Sequence, residues 1–186
     1  GVLEGHSKGV PEPILAPSSA NSIEEIKKTT REVLGQYIET GSLEIREDKS
    51  GITVVLPEKL LFQSAKANIQ EQALPVLDTL SAVLKNIPFQ ITVDGHTDSQ
   101  PIKTFRYESN WHLSIDRALN VAYELIANDI PQHNLVVRGF GAQRPISENV
   151  SDEGKRRNRR VEITITAKTS EMATELEKND SLNNTN

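Results

Sequence analysis

Three polar clusters in this chain carry residue types that can hold a ligand: "DGHTDSQPI" (94–102), "SNWHLSIDRA" (109–118) and "RRNRRVEITI" (156–165). Apolar runs precede or follow each one. An acid, an amide and several guanidinium groups therefore stand where scaffold elements end, which is the layout of a binding site. Asp98 continues from the run "FQITV", and Gly95 permits a bend between them. It can offer an anionic oxygen to a ligand cation, or cap backbone amides as Asx residues in turns do. Arg117 is followed mainly by apolar or small residues, so its stem is half-buried. A partly desolvated guanidinium needs an anion, either an internal carboxylate or one on a ligand. Ser109 or Asn110 can cap the helix that carries Arg117, and Trp111 can anchor that helix to a sheet. The run "GKRRNRR" reads as a charged loop that leads into a strand and turns one arginine to the site.

Other chemistries find no support. His96 has only His6, His112 and His133 as scattered companions, and none gives a metal-ligand spacing, so a buried structural imidazole is expected and no metal. "GFGAQRP" leads to Pro145 rather than a helix and lacks the third glycine of a dinucleotide loop. Neither a nucleophile elbow nor a phosphate-binding loop occurs, so the expectation is no enzyme and no cofactor. A net charge of -5 argues against nucleic acid as partner, and the basic run lacks interleaved aromatics. The chain has no cysteine, which removes disulfide and thiol chemistry. No apolar stretch approaches the roughly 18 residues of a membrane span, and the first residue is Gly, as in a processed protein or a fragment.

The elements that must position these clusters follow from period. At 186 residues and 36% hydrophobic content, one core is expected. Residues 1–20 mix Gly, Pro and Ser as a flexible linker, 21–167 form the domain, and 168–186 are a polar tail. Asn21 or Ser22 can cap a helix running to Ile38, with Ile23, Ile26, Thr30, Val33, Leu34 and Tyr37 on one stripe, closed by Gly41. "SLEIRED" and "GITVVLP" predict a hairpin. A second amphipathic helix starts at Asn68, kinked or begun later because of Pro75. A strand covers 89–94, a helix burying Trp111 and Ile115 covers 110–128, and two strands cover 134–140 and 160–166. Strands separated by helices predict an α/β (α+β) two-layer sandwich with a mixed sheet and a βαβαβ-type core. In "RVEITI" the alternation leaves one sheet face apolar and the other polar.

Taken together, the clusters resemble the OmpA-like peptidoglycan-binding domain. Its pattern is matched by Gly95 to Asp98, by Asn110 with Leu113, Ser114, Arg117 and Ala118, by Gly139, Gly141, Pro145 and Asn149, and by Asn158 to Glu162. A narrower resemblance, carried by "PI" after "GHTDSQ" and by "SNW", is to the periplasmic region of flagellar motor stator B subunits of the MotB and PomB type. The resemblance implies a periplasmic, noncatalytic anchor that binds the diaminopimelate stem peptide of peptidoglycan. Asp98 would accept from the ligand ammonium and Arg117 would fork onto its carboxylate, with Asn110, Thr97 and Arg159 completing the site. It further implies a homodimer, a stator A subunit as partner, and an upstream inner-membrane helix of which this chain is a downstream fragment. An envelope-integrity or secretion-system anchor is the alternative. The family often has Asp or Asn after the Phe of its first core strand, whereas Gln63, Ser64 and Ala65 follow Phe62 here. Replacing Asp98 by Asn or Arg117 by Ala is expected to abolish wall binding and leave the fold intact. Residues 22–38 are expected either to complete the core permanently or to rearrange when the anchor engages.

Overall fold

The computed structural model describes residues 19–85 and 87–168, so 1–18 of the expected linker and nearly all of the expected tail lie outside the described residues, while Ser19 and Ala20, read from sequence as linker, are helical. Helix α1 (Ser19–Val33) is under way before Asn21 and Ser22, so neither is the expected cap. The nearest residue unfit for a helix interior, Pro17, stands two positions before Ser19 in the sequence. Nor does the helix run unbroken to Ile38. Leu34 leaves helical geometry (φ −95°, ψ 2°) ahead of Gly35, a poor helix former, and the chain resumes as α2 (Gly35–Glu39). The end at Gly41 is as expected: it adopts φ +69°, and the amides of Gly41 and Ser42 return to the carbonyls of Ile38 and Tyr37.

Strands β1 (Glu44–Glu47) and β2 (Gly51–Pro57) form the hairpin, whose turn is fastened by Asp48 Oδ1 accepting from the amides of Ser50 and Gly51. A single turn, α3 (Glu58–Leu61), follows, and then a loop closed by a bridge between Phe62 and Ile69. Helix α4 (Leu74–Leu84) starts late, with Pro75 in its first turn, where a missing N–H costs nothing. The remaining elements are β3 (Phe89–His96), α5 (Asn110–Ala127), β4 (Leu135–Gly139), α6 (Asp152–Asn158) and β5 (Arg160–Ala167).

The sheet has the order β1-β2-β5-β3-β4. Strand β5 runs antiparallel to both β2 and β3, while β3 and β4 are parallel. Thus β2-α4-β3 and β3-α5-β4 are successive crossovers, the βαβαβ core of a two-layer sandwich. Its helix-facing side carries Ile52, Val54 and Leu56 of β2, Ile91 and Val93 of β3, and Val161, Ile163 and Ile165 of β5, all buried with α4 and α5. The opposite face is polar, with Thr53 and Thr164 hydrogen-bonded across strands at 2.9 Å. In the described state α1 is packed on this core through Ile23, Ile26 and Thr30. It is also tied to the hairpin, since Lys27 donates to the Asp48 carbonyl at 2.7 Å and Arg31 pairs with Glu47.

Two further expectations are corrected. Trp111 and Ile115 are 52% and 40% exposed rather than buried. Helix α5 turns Leu113, Ser114, Arg117, Ala118, Val121, Ala122 and Leu125 inward at helical spacing, leaving Trp111 and Ile115 on its flank. Second, "GKRRNRR" is not a loop, for its larger part forms the end of α6. Ser151 caps that helix by accepting from Gly154 N at 3.0 Å, and acids in its first turn with bases in its last suit the helix dipole.

Candidate functional site

Close approach of α5 to the sheet creates the site. A Cβ on Gly95 would lie 2.0 Å from the Ser114 carbonyl oxygen, and one on Gly139 would lie 2.6 Å from Ile115 N. Only residues without side chains let the helix lie so near the ends of β3 and β4. Ser114, fully buried, locks the contact by accepting from Gly141 N at 2.9 Å and donating to the Trp111 carbonyl. The first turns of α5 are thereby held against the residues that follow β3.

Those residues are Thr97 and Asp98, both buried. Thr97 N donates to the Gly141 carbonyl and its Oγ1 to the Asp98 carbonyl, each at 2.9 Å. Asn110 donates from Nδ2 to the Gln100 carbonyl at 2.9 Å. Thr97 and Asn110 therefore brace the turn that presents Asp98. Of the two uses open to Asp98 from sequence, the structure shows the turn cap, with Oδ1 accepting from Gln100 N at 3.0 Å, while Oδ2 pairs with an internal cation, Arg159 Nη1, at 2.7 Å.

From Arg159 the charges continue inward. Its Nε lies 3.3 Å from Glu58 Oε2, and the same oxygen accepts from Arg117 Nη1 at 3.0 Å. Of the two anions open to Arg117, the structure supplies the internal one. Arg117 also donates from Nε to the Lys66 carbonyl at 2.8 Å and lies over the Phe62 ring, 4.8 Å from its centroid. Its side chain is only 3% exposed, against 30% for Arg159. Asn120, one turn further along α5, donates to the Ala67 carbonyl at 2.8 Å, so α5 holds the whole 63–67 loop. That loop carries Ala65 at φ +56°. Together with Thr104, Arg106 and Tyr107 it lines a groove of about 680 Å³.

The sequence reading missed Glu58. It follows β2, and its amide donates to the Arg159 carbonyl at 2.9 Å, continuing the β2–β5 register that pairs Pro57 with Arg160. That register alone brings Glu58 to the site. Asn158 was named only as part of a motif, yet it is a hub. Fully buried, it accepts from Ile146 N and Ser147 N and donates to the Ser147 carbonyl and to Asn149 Oδ1. Asn149 Oδ1 also accepts from Ser99 N at 3.2 Å, which connects α6 to the Asp98 turn.

His96 belongs to the polar sheet face. It is buried and stacked on Phe140, with ring centroids 5.3 Å apart. Burial, reinforced by the nearby Arg160 charge, pushes its pKa down to about 4, so the imidazole is neutral at pH 7. Ligand atoms of His96, Asp94 and Glu162 lie within 4.8 Å of one another, close enough to suggest a cation site. Their charges argue otherwise. Arg138 forks onto Asp94 with two 2.7 Å bonds, while Arg46 and Arg160 both pair with Glu162, so guanidinium groups already outnumber the carboxylates. This cluster reads as a structural network.

An open, mixed five-stranded sheet with helices packed on one face defines the fold class. The chain belongs to the OmpA family, whose model matches residues 61–159. It is 32% identical over 145 residues to Motility protein B of Bacillus subtilis, an alignment that covers 77% of this chain and 56% of that protein, just over half its length. Among solved structures it is similar to the cell wall anchor of the T6SS from Pseudomonas aeruginosa, with 34% identity, 75% of this chain and 97% of that chain covered, and a TM-score of 0.71. The periplasmic domain of Helicobacter pylori MotB also matches, at 25% identity, with 75% and 90% covered and a TM-score of 0.64.

Proposed function

We propose that this domain binds peptidoglycan noncatalytically, through the diaminopimelate stem peptide, and anchors an ion-driven flagellar motor stator to the cell wall. A free diaminopimelate end presents an ammonium beside a carboxylate. Asp98 accepts from the ammonium and Arg117 donates to the carboxylate, with Asn110 and Thr97 framing the Asp98 turn and Arg159 taking a second acidic group. The observation that carries this reading is the convergence of Asp98, Arg159 and Arg117 from three separate clusters on one alternating array of charge. In this reading the domain lies in the periplasm as part of a homodimer, coupled to a stator A subunit through an upstream inner-membrane helix. Many weak attachments released collectively suit a part that must stay still under torque.

The likeness to the T6SS cell wall anchor supports a second reading, an envelope or secretion-system anchor that uses the same ligand chemistry. Cosedimentation with purified sacculi tests what both share. The wild-type domain should pellet with the wall and Asp98→Asn should stay in solution, whereas equal pelleting of the two overturns the assignment. Gene deletion separates the readings: lost swimming with an intact envelope supports the stator, and normal swimming with detergent sensitivity supports the alternative.

A further inference from the structure

Resting on the peptidoglycan reading, we propose that Glu58 sets the affinity of the site, as an internal carboxylate that stands in for the ligand's and must be released before a zwitterion can bind. Glu58 Oε2 is shared by Arg117 Nη1 at 3.0 Å and Arg159 Nε at 3.3 Å, and Arg159 Nη1 holds Asp98 Oδ2 at 2.7 Å. The charges alternate and cancel. Each ligand charge thus has an internal counterpart already in its place: the Arg159 guanidinium on Asp98 for the ammonium, and the Glu58 carboxylate on Arg117 for the carboxylate.

The inner and outer halves of the array differ in freedom. Arg117 is 3% exposed and held by the Lys66 carbonyl, whereas the side chains of Glu58 and Arg159 are 14% and 30% exposed. The backbone of Glu58 is fixed by its amide's bond to the Arg159 carbonyl, so release requires only a change of side-chain rotamer. A destination exists. Glu58 and Arg159 border a groove of about 810 Å³ whose walls also carry Lys59, Arg156 and Arg157, cations able to receive the displaced carboxylate. A ligand would thus exchange ion pairs rather than fill an empty pocket, and its affinity would be reduced by the contacts it breaks.

Calorimetric titration with the tripeptide L-Ala–γ-D-Glu–meso-diaminopimelate tests this on the wild-type domain, Glu58→Gln and Asp98→Asn. Glu58→Gln should bind at least about tenfold tighter, because a charge-assisted contact no longer competes. Unchanged or weaker binding by a folded Glu58→Gln overturns the inference and leaves the peptidoglycan reading standing. Binding by Glu58→Gln alone supports masking in its strongest form. If neither wild type nor Glu58→Gln binds, or if the wild type binds and Asp98→Asn binds equally well, the peptidoglycan reading falls and the inference with it. Should Glu58→Gln fail to fold, the wild type is followed by NMR. The Glu58 carboxyl and Arg159 Nε–H resonances should then shift together as the tripeptide saturates the site, and resonances that stay put at saturation overturn the exchange.

Discussion

Gly95 and Ser114 are in contact so close that a Cβ on the glycine would sit 2.0 Å from the Ser114 carbonyl oxygen. The obstructing atoms are helix backbone and cannot move alone. Gly95→Ala should destabilise the domain by about 3 kcal/mol or more, measured by urea unfolding, because α5 must lift from β3 as a unit. The same displacement parts Arg117 from the Asp98 turn, so sacculus binding should fall even at temperatures where the variant is folded.

Arg117 is a poorer test of binding than the sequence suggests. Burial against Phe62 and Glu58 makes it structural as well, which corrects the expectation that Arg117→Ala leaves the fold intact. Removing it leaves Glu58 facing Arg159 alone and strands the Lys66 carbonyl, with the loop then held by Asn120 through the Ala67 carbonyl. A stability loss of about 3 kcal/mol is expected on chemical denaturation. Asp98→Asn keeps the acceptor for Gln100 N and gives up only the charge facing Arg159, at a cost of about 1 kcal/mol.

Asn158 should tolerate neither Ala nor Asp. Alanine strands two backbone amides and the Ser147 carbonyl, and aspartate turns an acceptor toward Ser147 O and Asn149 Oδ1, where donors are needed. Each variant should lose about 2–4 kcal/mol in thermal or chemical unfolding. Asn149→Ala releases Ser99 N and should weaken sacculus binding more than it weakens the fold.

His96 gives the domain a pH dependence of predictable sign. Its folded pKa, pushed down to about 4 by burial and then by Arg160, lies below the ordinary value of 6.5. Between those values the unfolded chain binds a proton that the folded one refuses, so stability is full above pH 6.5 and falls as pH drops through about 4. The loss should reach about 3 kcal/mol. Unfolding free energies measured across this window should decline for the wild type and stay nearly flat for His96→Gln, once the common carboxylate contribution is subtracted; equal slopes would refute the assignment.

Local pattern made much of this molecule legible. Alternation in "RVEITI" and the apolar run "GITVVLP" marked strands that lie in the sheet interior, and the apolar residues of the 110–128 helix marked Ala118, Ala122 and Leu125 as inward but not Leu113 or Val121, and wrongly included Trp111 and Ile115. Those two share the helix's apolar character but lie on its flank, a difference of angle that composition does not report. Helix α6 was hidden by its charge, although Ser151 followed by Asp152 and Glu153 is a capping signature. Asp98, Arg117 and Arg159 were visible as chemistry awaiting a partner. What they would touch depended on Glu58, whose position is set by strand register across the interior of the sheet, and register is a relation between distant segments that neither segment records by itself.

The placement of the charge array at the start of β5 and the end of β3 has a mechanical consequence. These strands are antiparallel neighbours, and β2 flanks β5 on its other side. On the proposed reading, a wall strand held by Arg159 and Asp98 and drawn along the strands would load β5 lengthwise between two ladders. Its hydrogen bonds then resist in shear, many at once, whereas a pull across the sheet would open them one at a time like a zipper. The direction from which tension reaches the domain, more than the strength of any single bond, then decides the load at which it yields.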